Sequence, residues 1–456
     1  MRLVMAVASA LLLVPAPAQA SLAGELDRIL ADRALDGATI AVDVRDAATG
    51  AVLYQRNPGL RVLPASNQKL LTAAAALEIL GPGHRFRTSV LTAGDTLYLV
   101  GRGDPTMTHQ RYDQLAAAVA KAAKRRSARL VADDSWFDRV PLGRDWSWED
   151  EPYGYTAPIS ALTFAANTRY DTAAVEIRYR GVAGRRPEIR VWPPAAGVRV
   201  ANRAVTRGSA DNVDAVRVHG TANVTVSGSI GAGRSGTALV SVPDPAATAA
   251  GIFRAALRRH GMTVVGRTGK GVVPKNARNL AALASPPLTE ILRPFLKLSN
   301  NGHAEILIKT LAPVRPGSWP AGLTAATAAL GRLGVDTRLL TMSDGSGLSR
   351  RNWVTVRQVT TLLRAVRGRS WFPAYQAALP VAGDPDPMVG GTLANRMRGT
   401  VAAGRVRAKT GTLTGVNALS GYTGGVVFSI IVNGSAGSAT AIVDKVATAV
   451  AADRIS

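Results

Sequence analysis

Ser66 and Lys69 stand three residues apart at the head of an alanine- and leucine-rich stretch, Leu70–Leu80, that reads as a helix closed by Gly81-Pro82-Gly83. That spacing puts both side chains on one helix face. A serine hydroxyl is a poor nucleophile by itself, but an amine one turn away can take its proton once burial and a second cation lower the amine's pKa. The start of a helix also offers free backbone N–H groups to a developing oxyanion. Alone, such a pair is more often a helix cap followed by a solvated lysine. Two further groups change that weighting. Ser299-Asn300-Asn301 precedes a helix predicted over Gly302–Leu311, supplying a hydroxyl and an amide suited to relaying a proton and holding a substrate backbone. Lys409-Thr410-Gly411 lies in a strand-like segment, Arg405–Thr412. There a lysine and a hydroxyl can clamp a carboxylate, and the glycine leaves room for an extended peptide to pair with the strand.

The elements that must position these groups can be read along the chain. Ala38–Arg45 and Ala51–Arg56 form a predicted hairpin across Asp46-Ala47-Ala48-Thr49-Gly50. Residues 95–165 alternate strand-like runs with one helix, Tyr112–Lys124. Residues 166–243 change character, with short Val-, Thr- and Arg-rich runs separated by glycine turns, and read as a small all-β module. A helix follows at Pro245–His260, then short strands to Val273. Beyond Leu288 the pattern alternates again: helices at Gly302–Leu311, Leu323–Leu333 and Thr355–Val366, strands at Arg405–Thr412 and Val426–Val432, and a closing helix. The picture is an α/β domain split by a long insertion.

Composition narrows the chemistry. A chain of 456 residues exceeds what one core organises, and 47% hydrophobic with 19% charged residues is ordinary for a folded protein. The absence of cysteine excludes disulfide scaffolds, thiol nucleophiles and Cys-ligated zinc. The five histidines form no His-x-x-x-His pair, so neither a metal nor an organic cofactor is expected. The net charge of +24 comes from 55 basic and 31 acidic residues, and 46 of the basic ones are arginines spread along the chain. A polyanionic partner and simple compositional drift account for it equally. Arg2, the apolar run Leu3–Pro15 and Ala18-Gln19-Ala20 follow the grammar of an export signal cleaved after Ala20. No later segment reads as a transmembrane anchor, because the apolar stretch Ala439–Ala452 is interrupted by Asp444 and Lys445. The mature product is expected in the periplasm or cell wall, which argues against a nucleic-acid partner.

Ser-x-x-Lys, Ser-x-Asn and Lys-Thr-Gly in this order form the three-part signature of penicillin-recognising serine enzymes. The chain resembles the class C low-molecular-mass penicillin-binding proteins, D-alanyl-D-alanine carboxypeptidases and endopeptidases. Gly101–Thr106, Lys297–Asn301 with Ala304-Glu305, Asp344–Ser349 and Lys409–Val416 all look like blocks of that family. The resemblance covers most of the mature chain and is weakest over 166–243. The 229 residues between Lys69 and Ser299 also fit, since this family carries two extra domains there, one nested in the other.

The resemblance implies a penicillin-binding, β-lactamase-like transpeptidase domain of α/β (α+β) class over 21–92 and 284–456. Within it would lie a first inserted α/β domain, 93–165 and 244–283, and a nested, mainly β domain, 166–243. It implies Ser66 as acylated nucleophile, Lys69 as its base, Ser299 as proton shuttle to the leaving amine, and Asn301 as substrate-orienting. Lys409 and Thr410 would bind the terminal carboxylate, and Gly411 and Thr412 would line the strand that carries it. The N–H groups of Ser66 and Thr412 would form the oxyanion hole. Lys409, if close to Lys69, would also help keep it neutral. The acid- and aromatic-rich stretch Trp146-Ser147-Trp148-Glu149-Asp150-Glu151, with Tyr153 and Tyr155, reads plainly as a loop with local charge balance. In the family, this segment recognises the free amino end of the substrate's diamino acid. On that basis Asp150 is the candidate carboxylate, with Glu149 and Glu151 as alternatives, Tyr155 and Trp148 are its walls, and Leu413 its floor.

The expected activity is hydrolysis of D-Ala-D-Ala, or of D-Ala–diamino acid cross-links, in peptidoglycan stem peptides, with β-lactams as inhibitors. A β-lactamase would use the same acylation but needs an activating carboxylate, and no short motif for one appears between Ser66 and Ser299. A non-catalytic wall-polymer binder would have no use for a serine–lysine pair. Carboxypeptidase and endopeptidase preference, and oligomeric state, are open at this level. His303, beside the Ser299 motif, is expected to be exposed or capping, and Asp344-Gly345-Ser346-Gly347 to be a tight turn rather than a second nucleophile.

Overall fold

The computed structural model describes residues 21–209 and 211–453, so the export signal predicted over 1–20 lies outside the described residues. The two ends of the chain meet in one antiparallel five-stranded sheet, in the order Arg407–Leu413, Val416–Thr423, Val426–Asn433, Thr39–Asp46, Val52–Arg56. Val416–Thr423 is a strand that the periodicity of the sequence does not announce. It is buried at every position, so it lacks the alternation of a half-exposed strand. Three of its four polar side chains are paired: Ser420 donates to Ser429, Asn417 accepts from the Ala439 N–H and Tyr422 donates to the Leu363 carbonyl, each at 2.8 Å, while the Thr423 hydroxyl is buried without a hydrogen bond among the described residues.

One face of this sheet packs against the helix Val356–Ala365 and shares an apolar core with the helix Gln68–Leu80. It is buried from Gln68 to Leu77 on all sides, as its nearly uniform apolar composition requires. The helices Leu288–Lys297, Asn301–Leu311 and Trp319–Arg332 surround it in one apolar core. Leu288–Lys297 is a helix despite Pro294, a residue that argues against one in the sequence. Trp319–Arg332 starts earlier than the apolar pattern suggests, because Ser318 caps the N–H of Ala321 and Pro320 sits harmlessly in the first turn. The opposite face of the sheet is covered by Leu22–Leu30 and Thr440–Ala452 in a separate apolar cluster.

The inserted region contains a six-stranded sheet. Thr263–Val264, Ser127–Asp133, Thr96–Gly101, Arg87–Ala93 and Arg278–Ala284 follow one another, and Gly269–Lys270 pairs alongside Ser127–Asp133. This sheet therefore takes in Arg87–Ala93, residues that the sequence reading assigned up to 92 to the outer domain. The helices His109–Ala122 and Pro245–Arg259 pack together and cover it. Between Ala174 and Ser241 the described elements are all strands, in a three-stranded and a four-stranded sheet. Among the described residues no helix is long and apolar enough to cross a membrane.

Candidate active site

Ser66 lies in a tight turn, Ala65–Asn67, that feeds directly into the helix carrying Lys69. Ala65 holds a left-handed backbone (φ +45°), a strained conformation of the kind that collects at functional sites. The turn is pinned from outside by Gly347, at φ +88°: a Cβ there would fall 1.8 Å from the Ala65 carbonyl oxygen, so only glycine fits.

The Lys69 amine is fully buried and donates to three oxygens: Ser66 Oγ at 2.9 Å, Asn301 Oδ1 at 2.6 Å and the Ser346 carbonyl at 2.8 Å. Burial pushes its pKa down to about 7, against the opposing pull of the Glu305 and Asp344 carboxylates. The amine is thus poised to be neutral near physiological pH while in contact with the serine hydroxyl. The like charge of Lys409, expected from the sequence to help, is not among the causes of this shift. Burial holds Lys409 well below an ordinary lysine, and the Lys69 and Arg396 cations add to that.

Ser346 belongs to a turn held by two buried carboxylates. Glu305 accepts from the N–H of Gly345 at 2.9 Å, the N–H of Ser346 at 2.8 Å and Trp319 Nε1 at 2.7 Å. Asp344 accepts from the N–H groups of Gly347 and Ser349, from Asn352 Nδ2 and from Trp146 Nε1. Burial and the neighbouring Asp344 charge push the Glu305 carboxyl up to about 7 in spite of its three donors. The Asp344–Gly347 stretch is the tight turn that the sequence suggested, but its carbonyl is also a ligand of the lysine. Sequence reasoning gave Glu305, Trp319 and Asn352 no role. The sole signal was that Glu305 and Asp344 are acidic residues inside otherwise apolar or glycine-rich blocks.

Ser299 and Asn301 sit where the chain enters Asn301–Leu311. Ser299 has a left-handed backbone (φ +59°), and Asn300 caps the helix by accepting from the His303 N–H at 3.1 Å. His303 itself is neither exposed nor capping. It is fully buried, its Nε2 lies 3.0 Å from the Tyr170 carbonyl, and burial pushes its pKa down to about 4. An imidazole sealed in this way is not available as a general base.

Arg407–Leu413 is the edge strand of the five-stranded sheet. Its outer side is occupied near Arg407 and Ala408 by Pro380 and Val381. The Lys409 amine is buried and donates to the Thr410 carbonyl at 2.8 Å, and Thr410 Oγ1 donates to Thr392 Oγ1 at 2.8 Å. At Gly411 a Cβ would sit 2.7 Å from the Pro64 carbonyl and 2.9 Å from Asn67 Nδ2, so the glycine lets this strand lie against the Ser66 turn. Thr412 is exposed, and Leu413 ends the strand opposite Val416.

The acid- and aromatic-rich segment reaches the same place. Asn301 Nδ2 donates to the Tyr155 carbonyl at 2.8 Å, and the Tyr155 hydroxyl donates to Asp150 Oδ1 at 2.6 Å. Tyr153 and Tyr155 stack in parallel at 5.6 Å. Of the three neighbouring carboxylates, Glu151 is engaged with Arg217 and His219, and Glu149 is exposed. Asp150 is the one joined to the Tyr155–Asn301 chain. Trp148 is 69% exposed, with one face stacked on His219 at 3.5 Å.

The sequence signature of the D-Ala-D-Ala carboxypeptidase 3 (S13) family matches residues 22–454. A D-alanyl-D-alanine carboxypeptidase of Actinomadura sp. (strain R39) is 47% identical over 450 residues, covering 94% of this chain and 84% of the relative. The crystal structure of penicillin binding protein 4 from Haemophilus influenzae superposes with a TM-score of 0.78 at 25% identity, covering 93% of this chain and 97% of that one. The structure of the same Haemophilus protein complexed with a β-lactam shares the fold, with a TM-score of 0.71 at 23% identity over 92% and 97% of the two chains.

Proposed function

The chain belongs to the D-Ala-D-Ala carboxypeptidase 3 (S13) family, and from that premise we propose that it cleaves peptidoglycan stem peptides through an acyl-enzyme on Ser66. It is a serine-type D-Ala-D-Ala carboxypeptidase of penicillin-binding fold. Lys69, neutral before the reaction, takes the Ser66 proton as Oγ attacks the carbonyl of the penultimate D-alanine. The oxyanion lies against the N–H groups of Ser66 and Thr412. The proton passes from Lys69 by way of Ser299 to the departing amine, which breaks the peptide bond and leaves an ester on Ser66. Water then attacks that ester and gives its proton to Lys69, which returns it to Ser66 Oγ as the ester C–O bond breaks, releasing the carboxylic acid and restoring the serine hydroxyl and the neutral amine. Asn301 holds Lys69 and the substrate backbone, Lys409 with Thr410 pairs the terminal carboxylate, and Gly411 and Leu413 border the bound peptide. Asp150, with Tyr155 and Trp148 as its walls, receives the free amine of the diamino acid.

The same chemistry serves as an endopeptidase when the leaving amine belongs to a cross-linked diamino acid rather than to a terminal D-alanine. Export through residues 1–20, with cleavage after Ala20, brings the enzyme to its polymer. The domain division at 21–92 with 284–456, 93–165 with 244–283, and 166–243 completes this reading, with the first edge moved back to admit Arg87–Ala93 into the inserted sheet.

One observation carries the proposal: a buried amine with its pKa near 7 lies 2.9 Å from Ser66 Oγ and 2.6 Å from Asn301 Oδ1. The test is the intact mass of the chain from Ser21 over time with benzylpenicillin, beside Ser66→Ala. A long-lived adduct on the first and none on the second is expected. A fleeting adduct with rapid drug hydrolysis indicates a β-lactamase. No adduct on either overturns the Ser66 mechanism and leaves a wall-polymer binder.

A further inference from the structure

Among the described residues, the largest fully buried side chain is a cation outside the Ser66–Lys69 cluster. Arg217 ends the strand Asp211–Arg217 in the four-stranded β sheet, is 0% exposed, and spends its guanidinium on the acid- and aromatic-rich segment. Its Nη2 donates to the Glu151 carbonyl at 3.1 Å and to the Glu151 carboxylate. Nε and Nη2 donate to Ser241 Oγ at 3.2 and 3.0 Å, and Nη1 donates to the Thr221 and Val218 carbonyls at 3.0 and 3.4 Å. Ser241 Oγ in turn donates to the Glu151 carbonyl at 2.6 Å, and the Ser241 N–H donates to the Pro152 carbonyl at 3.0 Å. His219, two residues beyond Arg217, lies 2.9 Å from the second Glu151 carboxylate oxygen and stacks on Trp148 at 3.5 Å with the rings 14° from parallel.

Four of these contacts end on Glu151, the neighbour of Asp150. A surface loop held only by its own turns would swing by more than an ångström, and an error of that size costs on the order of 100-fold in a positioned site. The desolvated Arg217 guanidinium holds the Glu151 carbonyl and one Glu151 carboxylate oxygen through Nη2, while Nε and Nη1 are fixed on Ser241, Val218 and Thr221, so its planar donor set fixes orientation as well as distance. From Glu151 the chain of contacts runs through Asp150 and Tyr155 to Asn301 and Lys69.

We propose that Arg217, through Glu151 and with His219 beneath Trp148, is a positioning residue by which the β-rich module sets the pocket for the substrate's free amine. The module is then a part of substrate selection and not a spacer. The inference rests on the assignment of Asp150 as the amine's partner, and the experiment separates the two.

Two D-Ala-D-Ala peptides, one with a free side-chain amine and one with that amine acetylated, are compared on the wild type, Arg217→Lys, Glu151→Gln and Asp150→Asn, together with benzylpenicillin acylation. Arg217→Lys keeps the charge but cannot reach all five oxygens that the guanidinium holds. It is expected to reduce kcat/KM for the free-amine peptide by about 10- to 100-fold, mostly through KM, and to leave the acetylated peptide and penicillin acylation within about threefold. Equal losses on all three substrates mean a general structural role and overturn the inference. Glu151→Gln, which retains the backbone carbonyl contact, gives the same reading if Arg217→Lys does not fold. Discrimination kept in Asp150→Asn removes the amine pocket and this inference with it. Discrimination lost in Asp150→Asn but kept in both Arg217→Lys and Glu151→Gln overturns the role of Arg217 alone.

Discussion

The Glu305 carboxylate accepts the N–H of Ser346 at 2.8 Å, while the carbonyl of the same Ser346 accepts from Lys69 at 2.8 Å. A residue that touches neither Ser66 nor a substrate thus fixes one of the three oxygens around the proposed base. Glu305→Gln replaces an acceptor for three donors by a group with one oxygen and an N–H of its own, so one donor must face another. The buried mismatch costs about 1–3 kcal/mol, seen as a lower Tm. Removing the negative charge also withdraws a contribution that raises the Lys69 pKa. The acid limb of the acylation profile should therefore move to lower pH, and a move to higher pH would contradict this account.

The pH dependence of the unaltered protein follows from Lys69, with Glu305 beside it titrating in the same range. The amine must be neutral to accept the Ser66 proton, and its pKa is lowered to about 7 from an ordinary lysine value. Benzylpenicillin acylation should rise with pH, reach half its plateau near pH 7 and show no limb near pH 10. The sign for stability is linked: the unfolded lysine binds its proton up to its ordinary, higher pKa. This group's contribution therefore falls as pH drops from about 10.5 towards 7 and is flat below. Stopped-flow acylation from pH 5.5 to 9 checks the first statement.

The Lys409 amine, buried and depressed, donates only to the Thr410 carbonyl and hydroxyl, and a substrate carboxylate would give it its first anionic partner. Charge-assisted hydrogen bonds contribute about 1.5–3 kcal/mol. Lys409→Ala should therefore lower kcat/KM for a peptide ending in a free D-alanine carboxylate by about 10- to 100-fold. The amidated peptide, already poor, should lose little more. Equal losses on the two peptides would remove the carboxylate clamp.

Gly347→Ala tests the contact that pins the nucleophile's turn. It adds a Cβ 1.8 Å from the Ala65 carbonyl at a residue with φ +88°. The strained backbone costs about 1–3 kcal/mol, and displacement of Ser66 should lower acylation by on the order of 100-fold. Serine acylation at the wild-type rate in a folded Gly347→Ala protein would show that the turn is not held from this side.

The residues proposed to be catalytic stand out in the sequence because the chemistry proposed for them is local. Ser66 and Lys69 share one helical turn, and Ser299 with Asn301, and Lys409 with Gly411, each act within three positions. What supports them was not legible, since Glu305 meets Gly345 and Ser346 only after two distant segments fold together. Arg217 looked like one of many arginines, and nothing in its neighbours announces a partner at Glu151. Val416–Thr423 was missed because a strand buried on both faces has no alternation, and Leu288–Lys297 because Pro294 argues locally against a helix that the core stabilises. His303 was misjudged in the same way, since burial beside Tyr170 is a tertiary fact.

Thr39–Asp46 is paired along its whole length with Val426–Asn433, and Val426–Asn433 in turn carries Val416–Thr423 and the edge strand of Lys409. The strands nearest the beginning of the chain therefore wait for those nearest its end. On a growing or threading polypeptide, the inserted sheet, complete at Ala284, has all its strands while the outer sheet has only its first two. A fragment that stops short of Arg407 holds the whole serine–lysine pair but neither the strand against which Gly411 closes nor the amine of Lys409. The proposed site is thus complete only when strands from both ends of the described chain stand in one sheet.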